Sequence, residues 1–315
     1  MTSTVVTAHE SPLAAAVRPR RAWRVRLARR TWPYLLLAPS LLMLAAFTYL
    51  PVIRVAWESL HEKVHGSTTT LFVGLRNYRD LFSDKAFGQS VMNNLIYALG
   101  TVPPSIALAL LFALALQSSS RINSVLRAIM LAPSMIPLVA AASLFFFIFL
   151  PGVGLFDYYL GKIGVRSVNW LGDPDVALWS LIGITVWKNA GYYMLFYLAG
   201  LQTLPGEVLE AATIDGANGW QRLRHVIVPL LAPTTAFVLV IALINALTQV
   251  DHVIVLTKGG PSNSTKLVLY YIFEQAHENF AAGKAAAASL LSVAFLLAVS
   301  VVSLKTMERG AHAAS

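Results

Sequence analysis

Residues 89–120 read QSVMNNLIYALGTVPPSIALALLFALALQSSS, a run with no Asp, Glu, Lys or Arg. A hydrocarbon core of about 30 Å takes roughly 20 apolar residues to cross as a helix. A core helix of a water-soluble domain would show a polar face every turn, and this run shows none. Read as a membrane span, it fits a chain of 315 residues that is 57% hydrophobic and 12% charged. A soluble domain carries about 25% charge, and a disordered chain needs low hydrophobicity. The absence of cysteine excludes a disulfide scaffold, an iron–sulfur cluster and a Cys-based zinc site.

Five more runs of this kind lie on either side, at residues 31–53, 128–156, 176–206, 226–250 and 285–304, with Lys188 the one interruption, in residues 176–206. The expected fold is therefore all-α and integral to the membrane, with six transmembrane helices. Pro103, Pro104, Pro133 and Pro137 fall inside these runs. Membrane helices tolerate such kinks because neighbours re-satisfy the freed carbonyls. The kinks fit bent helices around a pathway and simple tilted packing equally well.

Lys and Arg in short loops set orientation. Arg18, Arg20, Arg21, Arg24, Arg26, Arg29 and Arg30 crowd the approach to the first span, which places residues 1–31 in the cytoplasm as a basic tail. Loops one, three and five then fall outside. The six-helix domain runs over residues 32–305, and residues 306–315 form a second cytoplasmic tail. The net charge of +9 gains an address in this topology. The cytoplasmic segments hold thirteen bases and five acids, the external ones ten of each, and Lys188 carries the rest. The excess reads as an orientation signal, and nucleic acid is not an expected partner. Residues 1–53 are basic enough to begin a signal peptide. Their uncharged run is too long, however, and no small-x-small cleavage site precedes Pro51, so they are expected to stay as the first helix. Trp32, Tyr34, Tyr49 and Trp57 would anchor its ends at the two interfaces.

The cytoplasmic connection at residues 204–229 is long and organised. Pro205 suits a first helical turn and Glu207 the positive end of the helix dipole. Val208, Leu209, Ala211, Ala212 and Ile214 supply an apolar side, and Gly216 permits a sharp turn. A second short helix over residues 218–225 would present Trp220, Leu223, Arg222 and Arg224. Such a knob suits docking onto a partner, and an amphipathic helix lying on lipid would have the same pattern.

The pattern Glu210-Ala211-Ala212, three residues, Gly216, nine residues, Val226-x-Val228-Pro229 resembles the EAA loop of the permease subunits of binding-protein-dependent ABC importers. Val226 and Val228 stand where Ile and Leu are more common. The run Ile214-Asp215-Gly216-Ala217 and that from Pro229 to Pro233 are similar to the carbohydrate branch of maltose and glycerol-3-phosphate permeases, as are Arg127 to Pro133, Asn169 to Pro174 and Gly259-Gly260-Pro261. The resemblance covers about residues 33–305. Asp157 departs from it, falling where Asn is expected, which could alter a local turn or a solute contact.

The resemblance implies a specific assembly in the bacterial inner membrane. A second, homologous permease lines a shared pathway, an ATPase dimer docks beneath, and an extracytoplasmic solute-binding protein delivers a sugar or glycerol-phosphate-type small molecule. Glu210, Ala211, Ala212, Asp215, Gly216 and Pro229 would belong to the coupling loop, with Glu210 facing a basic group in a cleft of the ATPase. The chain itself would be no enzyme and hold no cofactor or metal, since ATP and magnesium would sit on the partner ATPase. Consistently, Gly161-Lys162 and Gly283-Lys284 lack the frame of a phosphate-binding loop.

Two rival readings rest on residues. His61-Glu62-Lys63-Val64-His65 matches the H-E-x-x-H zinc protease pattern, although Gly66 and the Ser and Thr residues after it should end any helix at once. An ion-coupled secondary carrier is the other rival, but such carriers bury carboxylates, and no span holds one. Lys188 is the only such charge within a span, a functional hypothesis by default, with snorkelling or a carbonyl partner equally open. Asn93, Asn94, Asn189, Tyr192, Tyr193, Asn245 and Gln249 are candidates for a solute path, since amides and aromatic rings suit sugar hydroxyls. Interhelical hydrogen bonding is the competing role for each of them. Residues 258–261 and 270–273 are expected in an external loop able to touch a binding protein.

Overall fold

The computed structural model describes residues 36–63 and 69–313, with side chains as far as 301. It divides into two compact units, Met1–Arg54 and Val55–Ser315, with the boundary inside the first helix. That helix, α1 (Leu36–Ser59), widens into a π-turn at Ala45–Tyr49, where the Leu50 N–H reaches back to the Ala45 carbonyl. Pro51 has no N–H to offer the Phe47 carbonyl, which accounts for the irregularity just before it. The basic tail, Trp32 and Tyr34 lie outside the described residues.

A short antiparallel hairpin follows, β1 (His61–Lys63) with β2 (Thr70–Phe72), His61 opposite Phe72. A charged helix, α2 (Arg76–Ser83), comes next, and the second and third charge-free runs then fall within α3 (Lys85–Ala115), α4 (Arg121–Met135) and α5 (Leu138–Ile148). After them come α6 (Leu155–Lys162), α7 (Ala177–Gln202) and α8 (Gly206–Ile214). The chain continues with α9 (Gly219–Arg222), which runs on through a π-turn at Leu223–Ile227 to Leu230. The last elements are α10 (Ala232–Thr248), α11 (Asp251–Leu256), α12 (Val268–Phe273) and α13 (Ala282–Ala313).

Among the described residues, four helical stretches are long and apolar enough to cross a membrane: α1, α3, α10 with α11 across the interruption at 249–250, and α13 as far as Val301. The pair α4–α5 is apolar enough to count as a fifth if taken as one span, but it is broken at residues 136–137 and bent by 96°. Pro137 supplies no N–H and forces Ile136 out of helical geometry, to φ −79° and ψ 129°. The remaining charge-free run is α7. It stands outside that apolar set because Lys188, Asn189, Tyr192, Tyr193 and Tyr197 lie along it.

Burial explains why α7 can be so polar. Most of its residues from Ala177 to Gly200 are buried, Lys188, Asn189 and Tyr193 among them, while Trp179, Trp187, Tyr192 and Leu195 stay exposed, so its polar side chains sit on the faces covered by other helices. Its most extensive partner is α3, which offers a stripe of Ser90, Asn94, Tyr97, Thr101, Ser105, Ala109 and Ala113, all buried. Small residues at such spacing let backbones approach closely. Where α7 crosses α4, a Cβ on Gly191 would overlap the Met130 carbonyl oxygen. Past the interruptions at 136–137 and 249–250, α5 and α11 pack on each other.

The zinc-protease pattern does not survive folding. His61 and Glu62 lie in β1, where successive side chains point to opposite faces, whereas the motif needs both histidines on one face of a helix. His61 instead stacks on Trp57, ring centroids 3.8 Å apart, and its Nδ1 donates to the Trp57 carbonyl at 2.6 Å. His65 lies outside the described residues.

Candidate functional site

Two features are candidates: a polar crevice against α7 and the exposed knob formed by α8 and α9. In the crevice, Thr101 and Ser105 of α3 face Thr185, Asn189 and Tyr193 of α7, and two alanines of α10 close it until it is too narrow for a water molecule. Asn245 of α10 donates to the Tyr193 hydroxyl at 3.0 Å. Gln249, at the point where α10 stops and the backbone turns extended, accepts from Asn189 at 3.4 Å. Four candidate path residues thus meet in two pairs. Tyr192 turns away, stacking edge-on against Phe196 at 5.2 Å; one helical step sends it to another face.

Asn93 and Asn94 do different work. Asn93 donates to the Asn263 carbonyl at 2.7 Å and the Lys266 carbonyl at 3.0 Å, and Asn94 accepts from the Val268 N–H at 3.1 Å. Both pin the segment between α11 and α12 to α3 and join none of the crevice pairs. Tyr270 and Tyr271, expected in an external loop, are buried in α12. Tyr271 and Lys284 both donate to Asp84, at 2.8 Å and 2.5 Å. Burial pushes the Asp84 carboxyl up, but those two bonds and the Ala86 N–H outweigh it and hold it below the ordinary value.

Deeper still, the Tyr97 hydroxyl lies 2.6 Å from Thr185 Oγ1 and 2.9 Å from His252 Nε2. These three residues, with Thr101 and Ser105, escaped the sequence reading. A hydroxyl or imidazole inside an apolar run carries no marker until its partner across the bundle is known. Asp157 serves the local turn: it accepts from the Gly152 N–H at 2.6 Å, Trp170 Nε1 at 2.8 Å and the Ser167 hydroxyl. Those bonds favour the charged form and lower its pKa to about 2.

The knob is built from local rules. Pro205 precedes α8 in extended geometry, and Glu207 sits in its first turn. At the other end Gly216 adopts φ +77°, while the Ala217 N–H reaches the Ala212 carbonyl and the Gly216 N–H the Thr213 carbonyl, at 3.0 Å and 3.1 Å. This is a Schellman stop, which a left-handed glycine permits. Asn218 then caps α9 reciprocally with Gln221, both bonds at 2.9 Å. The second helix does not end at residue 225 as expected; the π-turn carries it on to Leu230. Between the two helices Ile214 is 86% exposed and Trp220 68%. Glu210, Ala211, Asp215 and Pro229 are exposed as well, and Ala212 is half-buried.

Comparison with known proteins bears on the chain as a whole. Residues 105–308 match the family described as binding-protein-dependent transport system inner membrane component. The trehalose/maltose transport system permease protein MalF of Thermococcus litoralis is 35% identical over 273 residues, 86% of this chain and 92% of that protein. The sn-glycerol-3-phosphate transport system permease protein UgpA of Agrobacterium fabrum is 31% identical over 281 residues, covering 89% and 96%. In fold, the chain is similar to a protein in the crystal structure of a bacterial alginate ABC transporter complexed with an alginate pentasaccharide-bound periplasmic protein. The TM-score there is 0.79 at 23% identity, over 92% of this chain and 98% of that one. With the family matched over most of its length, a helical bundle of several apolar spans and full-length permease relatives, this chain belongs to the binding-protein-dependent transport system inner membrane components, the permease subunits of ABC importers.

Proposed function

We propose that this chain forms half of the translocation pathway of an ATP-driven importer for a sugar or glycerol-phosphate-type solute. The observation that carries the reading is the match to full-length permeases for trehalose/maltose and for sn-glycerol 3-phosphate, each at 30% identity or above. A second permease completes the pathway, a binding protein hands over the solute, and an ATPase dimer holds ATP and magnesium. The chain crosses the bacterial inner membrane six times, with α7 as the fourth span and both termini in the cytoplasm. Its Lys188, Asn189 and Tyr193 are tolerated there because they are buried against other helices.

The knob is the coupling loop. Its exposed Ile214 and Trp220 suit insertion into a cleft of the ATPase, with Glu210 against a basic group. Crevice residues Asn189, Tyr193, Asn245 and Gln249 offer amide and hydroxyl groups to a polyhydroxylated solute, with Tyr192 and Asn94 outside that set. The crevice is shut in this conformation, so passage requires the helices around it to separate, which closure of the ATPase dimer would drive through the knob.

Uptake into proteoliposomes containing the complete assembly tests the reading. Solute accumulates when ATP is supplied and stops without it. Accumulation that persists without ATP under an ion gradient would overturn the reading in favour of a secondary carrier.

A further inference from the structure

The charge on Lys188 is 8% exposed and inside the bundle, where an ammonium needs partners. It donates to the carbonyls of Pro133 and Ser134, both at 3.3 Å, and to that of Ile136. The end of α4 leaves the Ser134 and Ile136 carbonyls as open acceptors, while the Pro133 carbonyl also takes the Ile136 N–H at 3.3 Å. In a continuous helix the Pro133 carbonyl would take the N–H of residue 137, but that residue is proline. The Ser134 carbonyl would take the N–H of Leu138, which the break carries away. The ammonium therefore stands in for missing backbone donors, at the helix end whose dipole favours a cation.

One residue further along α7, Asn189 reaches Gln249 at the other interruption, and α5 and α11, the segments beyond the two interruptions, pack on each other. Neighbouring buried residues of one helix thus hold both interruptions. Lys188 has no hydrogen bond into the crevice; its three acceptors all belong to the α4–α5 junction.

We propose that Lys188 is a positioning residue for transport. By saturating the carbonyls at the end of α4 it sets the angle between α4 and α5, and so the placement of α5 and α11 beside the solute path. The role in transport rests on the importer reading; the effect on the helix angle does not.

The absence of cysteine allows a clean pair of spin labels, on Leu126→Cys in α4 and Phe147→Cys in α5, both exposed. Distances are measured in the assembled transporter in nanodiscs. Uptake of radiolabelled trehalose, maltose and glycerol 3-phosphate is followed in parallel. Lys188→Met should broaden or shift the label distance and lower the maximal uptake rate by about tenfold, the scale of leaving buried acceptors unpaired. The half-saturating concentration should stay unchanged. Lys188→Arg, which keeps donors at the site, should recover much of both.

An unchanged label distance in Lys188→Met overturns the proposal. So does a raised half-saturating concentration at intact maximal rate, which would mean direct solute contact. If the native assembly takes up none of the three solutes with ATP, the importer reading loses its support, and the label distance still decides whether Lys188 sets the helix angle.

Discussion

The knob and the crevice solve opposite problems. The knob is held by bonds between residues close in sequence, the Schellman stop at Gly216 and the reciprocal cap of Asn218 with Gln221, and it leaves Ile214 and Trp220 bare. The crevice is held by bonds between residues far apart, Asn189 with Gln249 and Tyr193 with Asn245, and it buries Asn189 and Tyr193 while Asn245 and Gln249 are half-buried. A locally held, exposed element can be pushed as a unit without unfolding. A bundle whose polar groups are satisfied only across helices must exchange partners when it opens. That division suits a protein in which force enters at one place and the solute passes at another.

If the contrast is right, the largest effect should come from the helix crossing that frames the crevice. Gly191→Val places side-chain atoms on the Met130 carbonyl. Backbone cannot give way as a flexible side chain can, so the cost should exceed the roughly 1–3 kcal/mol usual for overpacking. The variant is expected to lose the assembled complex, read by size-exclusion chromatography. Assembly at native levels would show that α4 and α7 are not so closely packed.

Gly216→Pro comes next and probes the knob. It forbids the φ of +77° and removes an N–H that caps α8, yet touches nothing in the bundle. ATP-driven uptake should vanish while membrane insertion and pairing with the second permease persist. A loss of insertion as well would mean that the knob is not independent of the spans.

Smaller effects sharpen the contrast. Asn245→Ala removes the bond to Tyr193, worth about 0.6 kcal/mol on average inside membranes, so uptake should change only a few-fold and assembly not at all. Asn218→Ala should cost about 1 kcal/mol locally, visible as faster amide exchange over residues 219–222 with none over α7.

The smallest concerns Asp157. Its pKa of about 2 lies below the unfolded value of about 3.9. Its bonds therefore contribute fully above pH 4 and are lost as pH falls through 2. Exchange of the Gly152 amide should rise over that window, and Asp157→Asn should abolish the dependence.

The same contrast governs what could be read from sequence. Charge-free runs announced the spans because length and polarity are local properties, and the knob was legible because Pro205, Gly216 and Asn218 act on their immediate neighbours. Pro137 marked a kink, but neither its size, 96°, nor the Lys188 ammonium that reaches the carbonyls beside it from another helix is visible in the local sequence. The adjacent asparagines Asn93 and Asn94 look as apt for solute as Asn189 does. Only the fold sends them to the segment between α11 and α12. The H-E-x-x-H pattern failed for a related reason: its chemistry requires a helix, and pairing with Thr70–Phe72 made His61–Lys63 a strand.

The central claim is that the exposed knob carries force from an ATPase. Its most direct test is co-purification of the ATPase subunits with the permease pair, comparing the native chain with Ile214→Asp and Glu210→Lys. The account predicts that the second permease stays bound in all three while the ATPase is retained by the native chain and lost from both variants. Full retention of the ATPase by Ile214→Asp and Glu210→Lys, with ATP-driven uptake intact, would contradict it.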